Sequence, residues 1–303
     1  MLVAFNLLLD DIVFPDGHTA MGTLGGGGPQ AAFGMRLFAA EAGLVSVVGP
    51  DLPEPAWAWL NESRIDTAGV WVIEHSQTPR AWQITEEDGR RTQVWRVRPS
   101  QPLSVDLLPE PYRGAQGFHL GLHPDNPPLE LCRALKRLGG IMSVELFRSA
   151  ERPLHPEALF ALLSAADVFS ANLREAQSLV GAGSPRSVAR RLVEAAESRA
   201  VLIVLRLGPE GSLVVEGQTG QVASIPAASV DVVDAVGAGN AYSGAFLAEW
   251  IRTRDLARAG LSGAVAASFA VEQVGLPIIT DALRAEAQGR LNALELLVEL
   301  TSL

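Results

Sequence analysis

The chain has almost no cysteine and no concentration of positive charge. One of its 303 residues is cysteine, Cys132, so neither an intramolecular disulfide nor a cysteine-cluster metal site can form within one chain. The formal net charge is -10 at pH 7, and the 24 Lys and Arg residues do not cluster. Because binding to a nucleic-acid backbone depends on such clusters, the composition argues against a nucleic-acid partner. The scarcity of cysteine indicates a reducing, cytoplasmic setting.

Long apolar segments are also lacking. The apolar opening, residues 1–9, has no positively charged start and runs directly into Asp10 and Asp11. No later segment approaches about 18 uninterrupted apolar residues, so we expect neither a signal peptide nor a membrane span. With 48% hydrophobic residues the chain can bury one large core, which predicts a single domain over residues 1–303.

Short apolar runs alternate with amphipathic segments along most of the chain. The runs predict strands at 2–9, 45–48, 117–122, 140–144, 167–170 and 200–205. The amphipathic segments predict helices at 29–42, 128–138, 156–165 and 185–196. This alternation is typical of an α/β fold, so we expect a three-layer, doubly wound and mostly parallel sheet with helices on both faces.

Two segments, residues 14–24 and 70–98, interrupt this alternation. In the second, polar and apolar residues alternate on either side of a turn at Glu87-Asp88-Gly89. These segments predict a small β appendage, or lid, beside the main sheet. On the lid, Trp82 and Trp95 are candidates for covering a substrate, for anchoring the lid, or for contact between two copies in a homodimer.

A glycine-rich turn leads into an apolar helical segment near residue 240. Gly237 and Gly239 allow the backbone to approach a ligand closely, and the N–H groups of residues 237–240 would then face developing negative charge at the start of a helix. The alternative is an ordinary helix that begins after a glycine turn, with Asn240 as its N-cap.

This turn resembles the second signature of the ribokinase-like (pfkB) carbohydrate kinases. That signature runs Asp, two variable residues, Gly-Ala-Gly, Asp, a small residue and an aromatic residue. The positions that fit it are Asp234, Gly237, Ala238, Gly239, Ala241 and Tyr242. Asn240 stands where the family has the Asp that takes the proton from the acceptor hydroxyl. The resemblance implies catalytic positions at residues 237–240. With Asn240, the sequence is similar to branches of the family that carry Gly-Ala-Gly-Asn.

A second glycine loop, residues 24–37, looks like the first signature of the same family, which lies against the sugar. The resemblance implies that the substrate is bound by Gly25, Gly26, Gly27, Gln30 and Asp10. Gln30 stands where many members have Asn. Asp10 lies at the end of the first predicted strand, where the family's Asp binds sugar hydroxyls, and Asp11 is the alternative in register.

Two further segments resemble the nucleotide side of the family's site. Residues 167–176 contain an Asn-x-x-Glu element, Asn172 to Glu175, which in the family holds phosphate and magnesium-bound water, so Glu175 is a candidate metal contact through water. The alternative for this element is a helix cap with an acidic residue at N3. Residues 204–213 resemble the strand and turn that contact the nucleotide, which implies roles for Arg206, Gly208 and Gly211. The family usually has Thr where Arg206 stands, and Arg206 could instead cap a sheet edge.

The resemblance implies an ATP-dependent and Mg²⁺-dependent kinase that phosphorylates a hydroxyl of a sugar, polyol or nucleoside. An amide lacks the basicity of a carboxylate, and a positioned base typically contributes about 10² to 10⁴-fold in rate, so Asn240 is expected to weaken transfer. The second hypothesis is a pseudokinase that binds nucleotide or sugar without efficient catalysis.

A third hypothesis is a dinucleotide-binding protein. Residues 26–31 match the pattern Gly-x-Gly-x-x-Ala, and Asp51 follows about 20 residues later. The glycines do not directly follow the first predicted strand, which weakens this interpretation. The five histidines lack metal-ligand spacing, so none is given a role; they are His18, His75, His119, His123 and His155.

Overall fold

A ten-stranded sheet forms the centre of the molecule, and a separate four-stranded sheet lies beside it. The structure, a computed structural model, describes residues 1–38, 40–88, 91–197 and 200–303. Its strands, numbered in chain order, are β1 (Leu2–Phe5), β2 (Leu8–Val13), β3 (Thr19–Gly25), β4 (Ala42–Val48), β5 (Asp66–Val72), β6 (Arg80–Thr85), β7 (Arg91–Val97), β8 (Gly117–Leu122), β9 (Ile141–Leu146), β10 (Val168–Asn172), β11 (Leu202–Arg206), β12 (Ser212–Glu216), β13 (Gln221–Ile225) and β14 (Glu299–Ser302).

The central sheet is parallel over most of its width. Its order is β14-β13-β12-β11-β10-β9-β8-β1-β4-β5, with parallel pairing from β11 to β5. The strands β12, β13 and β14 extend it with antiparallel pairing. The carboxyl ends of the parallel strands meet at one edge, where open α/β sheets bind ligands.

Helices cover both faces of the central sheet. They are α1 (Gly27–Leu37), α2 (Glu54–Glu62), α3 (Leu129–Arg137), α4 (Pro156–Ser164), α5 (Leu173–Val180), α6 (Pro185–Ala195), α7 (Ala238–Thr253), α8 (Leu256–Val271) and α9 (Asp281–Glu295). The helices α3 to α6 bury their apolar side chains in one core cluster, and the other helices contribute to two further clusters. The three-layer α/β architecture predicted from the sequence is thus confirmed. Among the described residues, no helix is both long enough and apolar enough to cross a lipid bilayer.

The small sheet has the order β3-β2-β6-β7 and will be called the lid. Its bounds differ from the predicted segments 14–24 and 70–98: the lid begins with β2 at Leu8, and residues 70–72 belong to β5 of the central sheet. Of the predicted turn at Glu87-Asp88-Gly89, Gly89 lies outside the described residues.

The predicted strand at 2–9 is wrong because the chain changes sheets within it. Asn6 adopts a positive φ of 77°, a conformation that Asn tolerates better than most residues. The strand β1 therefore ends at Phe5, and β2 starts in the lid at Leu8. The predicted helix at 29–42 is also too long, since α1 ends at Leu37 and β4 begins at Ala42.

Candidate active site

A cavity lies between the lid and the carboxyl ends of the parallel strands. It contains about 560 Å³ of space, part of it open to solvent. The predicted site residues that line it are Asp10, Gly26, Gly27, Gln30, Gly237 and Asn240. The lid adds polar side chains to the wall, including Gln83 and Arg91, together with the ring of Trp95. The structure thus brings the two predicted glycine loops to one cavity.

Asp10, and not Asp11, faces the cavity. Asp10 lies within β2 of the lid rather than at the end of the first strand, and its Oδ1 accepts a hydrogen bond of 2.6 Å from Gln83 Nε2. Its side chain is buried, which raises its pKa to about 6. The next side chain points the other way: burial would raise the pKa of Asp11, but its hydrogen bonds with Arg80 and Arg96 hold the pKa below its usual value.

The loop between β3 and α1 requires glycine because it passes close to two site side chains. A Cβ at Gly25 would overlap the Asp10 carboxylate, and a Cβ at Gly27 would lie 2.7 Å from Asn240 Oδ1. Gly26 is the N-cap of α1 and has φ 86°, which disfavours other residues there. The first glycine loop therefore lies against both Asp10 and Asn240.

Two buried amide oxygens lack hydrogen-bond partners among the described residues. They are Gln30 Oε1 and Gln83 Oε1, and both side chains line the cavity. The donation of Gln83 Nε2 to Asp10 fixes the Gln83 amide with its oxygen free. Because buried polar atoms are usually paired, these oxygens are expected to accept hydrogen bonds from a ligand.

The helix α7 begins at the cavity wall. Gly237 is its N-cap with φ 83°, and Asn240 lies in its first turn, so the alternative with Asn240 as N-cap is not what the structure shows. A Cβ at Gly237 would lie 2.5 Å from Gln30 Cγ. The free N–H groups at the start of α7 and the positive end of its dipole favour a negatively charged group at this position.

His119 orients Asn240, although the sequence gave no role to this histidine. His119 is fully buried in β8, with Nε2 3.1 Å from Asn240 Oδ1 and Nδ1 3.0 Å from Ser143 Oγ. Burial lowers the pKa of His119 to about 4, so the ring is neutral near pH 7. In this neutral ring, Nε2 donates a hydrogen bond to Asn240 Oδ1, and Nδ1 accepts one from the Ser143 hydroxyl. The N–H donors of Asn240 Nδ2 are then left for a ligand.

The Arg206 cluster, consisting of Arg206, Glu145 and Glu175, lies beyond the start of α7. Arg206 Nη2 is 2.9 Å from Glu145 Oε1 and 3.6 Å from Glu175 Oε2. A Cβ at Gly239 would overlap both Arg206 Nη1 and the Glu145 carboxylate, so the cluster touches the first turn of α7. Burial raises the pKa of Glu145 to about 7 and also raises that of Glu175. Glu145 was missed in the sequence because nothing near it in the chain marks the buried strand β9 as functional.

The strand register explains why these polar side chains meet. His119 pairs with Ser143, and Gly121 with Glu145, in parallel β8 and β9. Residues paired across neighbouring strands point to the same face of a sheet, so His119, Ser143 and Glu145 share the α7 face. Position 121 is glycine, and a Cβ there would approach Asn240 Oδ1 to 3.7 Å.

The Asn172–Glu175 element caps α5. Asn172 Oδ1 accepts from the Glu175 N–H at 2.9 Å, and Glu175 Oε2 accepts from the Asn172 N–H at 2.8 Å. This is the capping box that the sequence allowed as an alternative. The described part of the chain contains no group of three or more His, Cys, Asp or Glu side chains that could hold a metal ion. With Arg206 between Glu145 and Glu175, these residues do not fit a divalent ion bound directly by protein carboxylates.

Gly208 and Gly211 shape the turn between β11 and β12. Gly211 N donates to Gly208 O at 3.0 Å, and Gly211 has φ 91° close to the backbone of β13. Neither residue lines the cavity, so their predicted contacts with the nucleotide stay predictions. The predicted contact between a ligand and the backbone of Ala238, the first residue of α7, also stays a prediction.

The dinucleotide interpretation lacks its structural unit. The glycines follow β3, which pairs antiparallel with β2 in the lid, instead of a strand of a parallel sheet. The Asp51 carboxylate accepts a hydrogen bond of 2.7 Å from the backbone of Thr78. The motif therefore serves the cavity described above.

Comparison with known proteins places the molecule in a class and then in a family. Its fold, with a small sheet beside a cavity at the strand ends, defines a ribokinase-like protein. The family model "pfkB family carbohydrate kinase" matches residues 13–281, so the chain belongs to the pfkB family of carbohydrate kinases. The family predicted from the sequence is confirmed, while its Gly-Ala-Gly-Asn branch stays a prediction.

Individual relatives are similar over most of the chain. A cytidine kinase of Thermococcus kodakarensis is 28% identical over 84% of this chain and 90% of its own length. An ATP-dependent ribose-1-phosphate kinase of Halopiger xanaduensis is 26% identical over 78% of this chain and 76% of its own length. A solved structure described as a ribokinase II of E. coli, in complex with ATP and Mg²⁺, has a TM-score of 0.74 at 17% identity and covers 96% of this chain and 99% of that chain.

Proposed function

We propose that this protein transfers a phosphoryl group from ATP to a hydroxyl of a sugar, polyol or nucleoside. The observation that carries the proposal is the convergence of Asp10, Gln30 and Asn240 on one cavity at the start of α7. Acceptors of hydrogen bonds and a helix N-terminus are the two features needed to hold a polyhydroxylated molecule beside a phosphate.

The acceptor would lie under the lid. The Asp10 carboxylate and the free amide oxygens of Gln30 and Gln83 can accept hydrogen bonds from several hydroxyls at once. The rings of Trp95 and Phe147 line the same cavity and offer apolar surface for a sugar face or a base. The named relatives act on a nucleoside and on a sugar phosphate, which supports an acceptor of this size.

The phosphate end would lie at the start of α7. ATP would supply the phosphoryl group, and Mg²⁺ bound to it would neutralise part of the phosphate charge. The chain itself offers the N–H groups after Gly237 and the Arg206 side chain, whose Nε has no hydrogen-bond partner among the residues described. These donors fit an anionic group, so we assign ATP as the donor and the Arg206 cluster as the phosphate side of the site.

Catalysis is proposed to be weak because Asn240 stands where the family has its catalytic Asp, and an amide is not a base. Asn240 can hold the acceptor hydroxyl with its Nδ2 donors, and its partner His119 is neutral and fully buried. This arrangement also supports the second candidate function, a pseudokinase that binds nucleotide and acceptor without efficient transfer. In both cases binding precedes any chemistry.

The experiment that tests the proposal compares the unmodified protein with Asn240→Asp. Binding of ATP with Mg²⁺ is measured by calorimetry, and ADP release is screened across sugars, polyols and nucleosides. We expect nucleotide binding by both forms and turnover about 10² to 10⁴-fold higher in Asn240→Asp, because a positioned carboxylate can accept the proton. Asn292→Asp, the same change on exposed α9, is the matched control.

The outcomes separate the candidate functions. Turnover in Asn240→Asp alone supports a pseudokinase with an otherwise competent site. Turnover by the unmodified protein supports a working kinase in which another group or the substrate handles the proton. Absence of nucleotide binding by either form contradicts both.

We also propose that two copies pair through the lid. The lid has two edge strands, β3 and β7, and each exposes an apolar side chain, Met21 at 50% and Val94 at 46%. Trp95 lines the cavity and Trp82 packs under Arg96 at 5.1 Å, so the contact would involve the lid edges rather than these two rings.

A further inference from the structure

A guanidinium stands between two buried carboxylates at the phosphate end of the site. The side chains of Glu145 and Glu175 are 5% and 8% exposed, and that of Arg206 is 16% exposed. Glu145 comes from β9 and Arg206 from β11, the two strands on either side of β10, and Glu175 comes from the first turn of α5, which follows β10. Three charged side chains that approach so closely in the interior are unusual unless their charges compensate each other.

Charge explains why the cluster needs a cation. Both carboxyls are buried, which raises the pKa of each, and the Arg206 guanidinium acts against this shift in both. A guanidinium stays protonated in proteins, so its charge does not depend on pH or on dissolved ions. The chain therefore provides its own counter-charge for the acidic pair.

Geometry excludes a second cation at the same place. Arg206 Nη2 lies 2.9 Å from Glu145 Oε1, and Nη1 lies against the first turn of α7 at Gly239. A magnesium ion sits about 2.1 Å from its oxygen ligands and demands near-octahedral coordination. An ion between Glu145 and Glu175 would overlap the guanidinium and would be repelled by its positive charge.

We propose that Arg206 takes the place of a protein-held metal ion at this site. The guanidinium compensates one of the two negative charges of Glu145 and Glu175, and its unpaired Nε is left to bind a phosphate oxygen. The second half of this inference rests on the proposed function, since it needs a phosphate ligand, whereas the exclusion of metal does not. Metal would then reach the site bound to the nucleotide.

The first test uses Mn²⁺ alone, without nucleotide, followed by electron paramagnetic resonance of the free ion. The unmodified protein and Arg206→Lys are expected to bind no Mn²⁺ in the micromolar range. Arg206→Thr removes the cation and is expected to bind Mn²⁺ at least about tenfold more tightly, because oxygen ligands of an acidic pair become available. Arg148→Thr, which removes an arginine that is half-exposed beside Glu151, is the matched control.

Several outcomes would overturn the exclusion of metal. One is Mn²⁺ binding by the unmodified protein that Glu145→Gln abolishes, a result that does not depend on whether Arg206→Thr folds. Another is folded Arg206→Thr, verified by circular dichroism, that binds no more Mn²⁺ than the unmodified protein. The double variant Arg206→Thr, Glu145→Gln has the same net charge in this cluster as the unmodified protein, and it is expected to fold and to bind Mn²⁺ no better than the unmodified protein.

A second measurement separates this inference from the proposed function. Calorimetry measures the dissociation constant of ADP in Mg²⁺ and in EDTA. For the unmodified protein the two constants are expected to lie within about threefold of each other. For Arg206→Thr the affinity for ADP is expected to fall by more than this in EDTA. Equal dependence on Mg²⁺ in both proteins would overturn the phosphate half of the proposal. Failure of the unmodified protein to bind ADP at all would reject the proposed function while the Mn²⁺ result still stands.

Discussion

Position 240 shows how one atom changes the chemistry of a site. An aspartate here could accept a proton, whereas the Asn240 amide accepts from His119 and offers donors to the cavity. The neighbour matters as much as the residue, because burial lowers the pKa of His119 to about 4 and makes it a weak base, while its Nε2 contacts the amide oxygen of Asn240. In the proposed function, this pair would therefore bind and orient the acceptor rather than take its proton.

The negative charge of the buried Asp10 carboxylate lowers the stability of the folded state. Its pKa rises from the ordinary 3.8 to about 6 because it is buried, so the folded protein resists its ionisation. Relative to Asp10→Asn, the unmodified protein is expected to be as stable below pH 4 and to lose stability as the pH rises to 6. Above that the difference is constant at about 3 kcal/mol, the equivalent of about two pKa units.

Urea unfolding of both proteins at pH 4 and pH 8 measures this difference. Asp10→Asn should be the more stable protein at pH 8 and should lose acceptor binding, since buried functional carboxylates commonly trade stability for function. Exposed Asp106→Asn controls for the removal of one negative charge. An equal or lower stability of Asp10→Asn at pH 8 would show that Gln83 and the surrounding charges already compensate the buried carboxylate.

At the level of elements, the loop between β3 and α1 links the proposed acceptor side of the cavity to its proposed catalytic side. Gly25 lies against Asp10 and Gly27 against Asn240, so one short loop sets the spacing of both side chains. A small backbone shift here would move the acceptor relative to the start of α7, which matters because reactive geometry tolerates little displacement.

Gly25→Ala tests this loop. The new Cβ would overlap the Asp10 carboxylate, so we expect a loss of about 1 to 3 kcal/mol in unfolding free energy, as for other overpacked interiors, together with weaker acceptor binding. Gly289→Ala in α9 is the control with the opposite sign: a Cβ there meets nothing within 4 Å, and alanine favours a helix by about 1 kcal/mol. Urea unfolding of both variants measures the effect. An unchanged free energy of unfolding in Gly25→Ala would show that the loop can shift to accommodate the added methyl group.

The sequence predicted the elements better than their partners. Apolar runs located the parallel strands, and β8 matches its predicted bounds of 117–122. Two features were out of reach: the change of sheet at Asn6, which depends on a single dihedral angle, and the placement of His119 and Glu145 next to α7, which depends on strand register. Glycine loops can be recognised in a sequence because their residues are consecutive. The role of a side chain on a buried strand depends on contacts with residues about 100 positions away.

On the scale of the whole molecule, the lid is both a wall of the cavity and an exposed sheet. Asp11 ties the strands of the lid together, because its buried carboxylate forms ion pairs with the partly exposed Arg80 and Arg96. Its edges are left with apolar side chains at Met21 and Val94. An exposed edge strand is a ready partner for another copy of the chain, and a dimer formed there would also restrain the lid over the cavity.

Val94→Glu is expected to convert a dimer into a monomer. In a dimer, a carboxylate at this exposed position on β7 would either be repelled by the same carboxylate of the second copy or be buried without a cation. Either effect weakens association. Leu300→Glu, on the exposed edge strand β14 of the central sheet, adds the same charge away from the lid and should leave the dimer intact. Sedimentation velocity at several concentrations distinguishes the two species. If the unmodified protein sediments as a monomer throughout, pairing through the lid is wrong, and the lid then closes the cavity without help from a second subunit.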